Sequence, residues 1–225
     1  MTRDTEQKSV PYCAVIDLDE TLFRTYAYFH DIITDLIDKG LLSPGDADEL
    51  IATVLRLRGT DTADWVCLLM QYIGCTSEEI GALNMTYLKE SDPNRYFYDG
   101  ALELLIHLRK DRVPYVVLTK GKQITQQMKL DVLDTAFGAH VPAFITDVSG
   151  KAEWIERTSM ATEVGLQLPA QLQGVLTERV YILDDKPRHL VTTSPRIIGI
   201  HIDNTDTPAI GSLPIAEAYD QLVAG

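Results

Sequence analysis

The sequence predicts an α/β fold, a Rossmann-like doubly wound parallel sheet that carries an inserted all-helical segment. Three observations lead there. Five apolar, β-branched-rich runs are continuous rather than alternating, as suits strands covered on both faces. Helical patterns fill the gaps between them, and strands alternating with helices imply a parallel sheet. One interval, between the first two runs, is far longer than a strand-to-helix connection needs and contains no convincing strand.

Taken in chain order, the first strand is expected over 12–16 and delivers Asp17, Asp19 and Thr21. Helices follow over 26–39, 46–58 and 61–73. Each ends at a glycine (Gly40, Gly59 and Gly74) placed where a helix C-terminus favours a left-handed residue. Thr76 and Glu79 have the spacing of a capping box that opens a fourth helix to about 90, and SDPNR at 91–95 breaks it. The chain thus divides into an α/β core of residues 1–22 and 97–225 and a helical insertion of residues 23–96. Within the second part of the core, helices are expected over 101–110, 123–133, 152–164 and 215–223. The remaining strands are expected over 113–118, 141–145, 180–183 and 197–202.

Bulk properties narrow the function. A chain of 225 residues can bury a core large enough for one α/β domain with an insertion. A net charge of −13 argues against nucleic acid or an anionic membrane as the main partner, because both would repel it. Cys13, Cys67 and Cys75 form no C-x-x-C or zinc spacing and read as reduced thiols. The N-terminus MTRDTEQKSV has no apolar signal region, and no run reaches transmembrane length, so a cytoplasmic location is expected. Oligomeric state is not legible.

Every strand end but the last carries reactive chemistry. Asp17 and Asp19 sit where open α/β sheets place their ligands, and two carboxylates there can hold a divalent cation and offer an attacking oxygen. An acidic turn would use the same residue types. Thr119, with Lys120 and Gly121 before a helix, reads either as an N-cap or as a phosphate cradle of hydroxyl and backbone N–H groups. Lys151 opens another helix, where a cation opposes the macrodipole unless an anion lies between, or unless it is simply solvated. Asp184 and Asp185 are adjacent at a strand end, where they repel unless a cation or a proton sits between them; a Mg²⁺ site is the economical account and a solvated acidic turn the other reading. Four coincidences in the order Asp-x-Asp, Thr, Lys, Asp-Asp are improbable. Receiver domains use a similar kit but place the acidic pair first.

These motifs resemble those of the haloacid dehalogenase (HAD) superfamily, in its phosphatase-like branch, over essentially the whole chain. DLDETLF at 17–23 is similar to the first family motif, VVLTKG at 116–121 to the second, Lys151 to the third and YILDDKP at 181–187 to the fourth. YDGALELLIHL at 98–108 resembles the return from cap to core. The further acid that many members carry downstream of the fourth motif is replaced here by His189 or Leu190.

The resemblance implies a mechanism. Asp17 would be the nucleophile that forms an aspartyl-phosphate, and Asp19 the general acid and then base. Mg²⁺ would be held by the Asp17 carboxylate, the Asp19 carbonyl and Asp185, with Asp184 as direct or outer partner. Thr119 and Lys151 would bind the transferring phosphoryl oxygens. Dehalogenating members lack the second aspartate, so Asp19 favours a phosphate ester over a haloacid. A helical cap after the first motif implies a small phosphorylated metabolite, with Arg24, Tyr26, Tyr28, Arg56 and Arg58 as candidate cap contacts, although DLDET also resembles uncapped protein phosphatases. Alternative readings are a phosphotransferase or mutase of the same fold, and a non-catalytic protein that binds a phosphorylated ligand.

Overall fold

The computed structural model of the chain describes residues 9–57 and 64–224. Arg58, Gly59 and the start of the helix expected at 61 lie outside the described residues. Five parallel strands form the body of one sheet: β1 (Val10–Ile16), β2 (Tyr115–Lys120), β3 (Ala143–Thr146), β6 (Leu176–Asp184) and β7 (Ile197–His201). Two short strands, β4 (Met160–Ala161) and β5 (Leu166–Gln167), form a hairpin that pairs antiparallel with the start of β6.

From β1 the chain builds outward through β2 to β3, then returns to place β6 on the other side of β1 and β7 beyond it. The strand order therefore reverses between β1 and β6, the switch point at which a crevice opens beyond the carboxyl ends of the strands. Register sharpens this: Ile16 pairs with Leu183, which brings Asp17 level with Asp184.

Alternation along the strands explains why their runs are apolar throughout. Ala14, Ile16, Val117, Tyr181 and Leu183 point to one face, and Cys13, Val15, Val116, Leu118, Val180 and Ile182 to the other. The first face packs against α5 (Ala101–Lys110), α6 (Gln123–Phe137) and α8 (Ala218–Ala224). On the second face lie α7 (Lys151–Thr158), through Ala152 and Ile155, and the segment around Leu166, Leu168 and Leu172. Both faces are covered, so no position along a central strand can be polar without a partner.

Between β1 and α5 the described residues form four α-helices, α1 (Thr25–Asp38), α2 (Pro44–Arg56), α3 (Trp65–Ile73) and α4 (Ser77–Glu90). Gly40 and Gly74 adopt φ of 69° and 68° after α1 and α3, as their positions predict. Thr76 and Glu79 make both bonds of the capping box. The apolar faces of these helices merge into the same buried cluster as the first sheet face, and Asn84 of α4 donates to the Met128 carbonyl of α6 at 3.3 Å.

The helix expected over 152–164 ends at Thr158, and the hairpin β4–β5 replaces its last turns. Gly165 accounts for the change. A Cβ there would lie 2.1 Å from the Thr177 carbonyl oxygen, so only glycine lets the hairpin close onto β6. At the C-terminus the expected helix 215–223 divides into a 3₁₀ turn, Ile215–Glu217, and α8.

Candidate active site

After β1 the backbone makes a single tight turn. Leu22 and Phe23 both donate to the Leu18 carbonyl, and Glu20 takes a left-handed φ of 61° that a non-glycine residue adopts only under constraint. The constraint is visible: Asn204 donates to the carbonyls of Glu20 and Thr21 at 3.2 and 3.0 Å, and Thr21 Oγ1 accepts from the Asp185 amide at 3.0 Å. Thr21 thus ties the loop after β1 to the loop after β6. The three carboxylates Asp17, Asp184 and Asp185 each bring an oxygen within 4.8 Å of the others.

Lys151 enters this cluster from the first turn of α7. It is 1% exposed, bonds to Asp17 and reaches Asp184 at 2.8 Å. The solvated reading of this lysine is excluded. Burial alone would lower its pKa, but Asp17 and Asp184 outweigh that and keep it charged. Asp184 is fully buried and satisfied, accepting from the Lys186 amide at 2.8 Å and from His189 Nδ1 at 3.0 Å. Its burial favours the neutral form, yet the His189 bond and Lys151 hold the carboxyl down at about 2. His189, not Leu190, is therefore the residue that contacts the acidic pair, whereas Leu190 packs against the second sheet face.

Asp17 and Asp185 are less well provided for. Asp17 Oδ2 and Asp185 Oδ1 are buried and accept no hydrogen bond, although the Lys186 ammonium lies 3.4 Å from the latter. Burial pushes the Asp17 carboxyl up to about 6, with the Asp184 charge adding to the rise against the pull of Lys151. Burial likewise pushes Asp185 up to about 6, opposed by Lys186 and reinforced by Asp17 and Asp184. Two buried carboxylate oxygens without a hydrogen bond, on residues that cluster within 4.8 Å, fit the requirements of a bound cation. An all-oxygen donor set suits a hard cation such as Mg²⁺.

Asp19 lies apart from that cluster and has its own partners. Lys129 and Thr25 both bond to its Oδ1, and Gln126 Nε2 donates to its Oδ2 at 3.0 Å. Burial alone would raise this carboxyl, but the Lys129 charge and the three donors outweigh it and hold the pKa below the usual carboxylate range. Sequence reasoning missed Lys129 and Gln126. Both lie on the buried face of α6, among Met128, Leu130, Val132 and Leu133, and a lysine inside an apolar stripe was the available signal.

Thr119 is fully buried, and its hydroxyl donates to Gln126 Oε1 at 2.9 Å instead of facing the crevice. The Gly121 N–H donates to the Thr146 carbonyl at 3.1 Å, so that amide is not free for a phosphate either. Gly121, at φ 154°, has a different role: a Cβ would lie 2.5 Å from Gln126 Nε2, so the glycine leaves room for the glutamine.

A cavity of about 480 Å³ opens over these groups, within the ~300–1,000 Å³ range of small-molecule sites. Asp17, Asp19, Lys151 and Asp185 line it, and Thr119 and Asp184 stand behind them. Of the candidate contacts from the helical insertion, Tyr26 lines the cavity. Arg24 instead lies over the Tyr98 ring at 4.9 Å, Tyr28 is buried against Asn84, and Arg56 is exposed away from the cavity.

No protein-family model and no curated protein matches the chain. Solved structures do. A HAD-like hydrolase from Burkholderia xenovorans aligns over 95% of this chain and 97% of its own, at 17% identity and a TM-score of 0.61. A HAD phosphatase from Thermococcus onnurineus aligns over 94% and 97%, at 13% identity and 0.58. A magnesium-bound HAD-hydrolase from Bacillus subtilis aligns over 96% and 100%, at 16% identity and 0.52. At these identities the likeness establishes the fold.

Proposed function

Because the chain has the haloacid dehalogenase-like fold, we propose that it is a Mg²⁺-dependent phosphatase that hydrolyses a small phosphorylated metabolite through an aspartyl-phosphate. The observation that carries this reading is the cluster of Asp17, Asp184 and Asp185 against Lys151, at the ends of the two strands where the sheet order reverses. Asp17, Asp185 and the Asp19 carbonyl would hold Mg²⁺. Asp184 serves as the buried anchor of Lys151, since its oxygens are already taken. When bound, Mg²⁺ supplies the charge that neutralises phosphoryl oxygens beside two carboxylates.

The chain's own groups then divide the chemistry. A carboxylate oxygen of Asp17 attacks phosphorus, the bond to the leaving oxygen breaks, and Asp19 supplies that oxygen's proton. Water next attacks the phosphorus of the acyl phosphate, Asp19 takes the proton, and Asp17 is restored. Lys151 stays against Asp17 throughout and offsets charge that grows on the phosphoryl oxygens. Thr119 reaches the phosphoryl group once its hydroxyl is released from Gln126. Residues 23–96 act as the cap, whose helices wall the cavity through Thr25, Tyr26 and Trp65 and exclude water. Three free thiols and the charge of −13 support a cytoplasmic enzyme without nucleic-acid or membrane partners. Among the described residues no helix is long and apolar enough to cross a membrane.

Phosphate release from phenyl phosphate and a panel of phosphometabolites, in Mg²⁺ or EDTA, tests the reading. Turnover is expected to vanish in EDTA and to fall by more than about 10³-fold in Asp17→Asn. Turnover indifferent to Asp17 would overturn it, and phosphate passed to a second hydroxyl instead of released would identify a phosphotransferase.

A further inference from the structure

The adjacent carboxylates that follow β6 have opposite surroundings. Asp185 Oδ1 is buried and accepts no hydrogen bond, with the Lys186 ammonium 3.4 Å away. Asp184 is saturated. Its Oδ1 accepts from the Lys186 amide at 2.8 Å and lies 3.1 Å from His189 Nδ1, and its Oδ2 lies 3.0 Å from the same nitrogen and 2.8 Å from Lys151 Nζ. An ionised carboxylate offers about four lone-pair directions, and these contacts occupy all of them.

The chain builds this arrangement locally. Pro187 opens a 3₁₀ turn, Pro187–His189, closed by the His189 N–H donating to the Lys186 carbonyl at 2.9 Å, and the turn folds the imidazole back onto the strand end. Because an ionised carboxylate can only accept, Nδ1 carries the hydrogen. His189 is 5% exposed, so the bond to Asp184 is shielded from water. Without it, one acceptor direction on each Asp184 oxygen would open. Asp184 already has an oxygen within 4.8 Å of those of Asp17 and Asp185, so it could turn to a divalent cation held there. Lys151 would then keep Asp17 and lose its second carboxylate.

Resting on the phosphatase reading for its catalytic half alone, we infer that His189 is a positioning residue: by occupying Asp184 it commits that carboxylate to Lys151 and withholds it from the cation held by Asp17 and Asp185. The cation site is thereby limited to two carboxylates, and Lys151 stays fixed on the phosphoryl side. The imidazole acts through Asp184 and takes no part in bond making.

The test titrates Mn²⁺, a hard cation visible by electron paramagnetic resonance, onto the full chain as wild type, His189→Leu and His189→Asn. Leucine has similar branching without a donor, and asparagine keeps an N–H at the branch that carries Nδ1. His189→Leu is expected to bind Mn²⁺ about tenfold more tightly, the worth of the charge-assisted bond that no longer competes for Asp184. Its kcat for phenyl phosphate at saturating Mg²⁺ should fall by about tenfold, because Asp184 leaves Lys151. His189→Asn should match wild type in both, and in an Asp184→Asn background His189→Leu should leave Mn²⁺ affinity unchanged. Tighter metal with slower turnover separates positioning from loosened packing, which would weaken both. Unchanged or weaker Mn²⁺ binding in His189→Leu, equal tightening in His189→Asn, or tightening that survives Asp184→Asn would overturn the inference. His189→Phe, which keeps a ring, replaces the leucine variant if circular dichroism shows that one unfolded. Mn²⁺ binding needs no turnover: the expected affinities in a wild type that hydrolyses no phosphate ester would keep the role of His189 and reject the phosphatase reading.

Discussion

Asp19 is asked to give a proton and then take one, yet Lys129, Thr25 and Gln126 all stabilise its ionised form. The ionised form is the one needed for the water step. For the first step the protonated fraction limits the rate, and most for alkyl esters, whose leaving oxygen needs the proton fully. Lys129→Met removes the strongest opposing charge, so the alkaline limb of the pH profile for an alkyl ester should move to higher pH. An unmoved limb would show that Lys129 does not govern Asp19. At Lys151 the expectation is loss rather than shift. Lys151→Met leaves three clustered carboxylates without their buried cation, and kcat should fall by about 10²–10³. Retention of wild-type kcat would remove Lys151 from the mechanism. Asp17, Asp185 and Lys151 were legible because strand ends and helix starts can be found from periodicity. Gln126 and Lys129 were missed: Lys129 sits inside the apolar stripe of α6, but a polar residue there names no partner until the fold brings Asp19 against it.

Elements show the same boundary between what pattern reveals and what packing decides. The capping box of α4 is written in two residues three apart, and both of its bonds form. Thr76→Ala should cost about 1 kcal/mol of stability in denaturant unfolding and leave phosphate release unchanged, because the cap is exposed and far from the cavity. A loss of activity without loss of stability would contradict that. The hairpin β4–β5 was unreadable for the opposite reason: strands of two residues carry no period, and the deciding contact is Gly165 against the backbone of Thr177. Between these cases stands Gly121, whose missing side chain makes room for Gln126. Gly121→Ala should displace the glutamine and disturb Thr119 and Asp19 together, lowering kcat while the fold persists by circular dichroism.

For the whole molecule, the crevice position follows from topology, and its charge balance makes stability depend on metal and pH. Folding raises Asp17 and Asp185 from 3.8 to about 6, so the folded chain binds protons more tightly than the unfolded one. Their contribution is present at low pH and is lost as pH rises through about 4 to 6. Asp184, held at about 2, contributes in the opposite sense and fails only as pH falls below about 4. The metal-free protein should therefore melt at higher temperature near pH 5 than at pH 7, and Asp17→Asn should flatten that slope. Added Mg²⁺ should raise the melting temperature most at pH 7 and little at pH 5, because protons and metal compete for the same oxygens. A magnesium increment independent of pH would place the cation elsewhere.

The most direct test of the central claim is to quench phenyl phosphate turnover in Mg²⁺, reduce the acyl phosphate with borohydride and sequence the peptides by mass spectrometry. Conversion of Asp17 to homoserine, absent in Asp17→Asn and in EDTA, is the predicted result. Turnover with Asp17 recovered unmodified, or reduction found at Asp19 instead, would contradict the account.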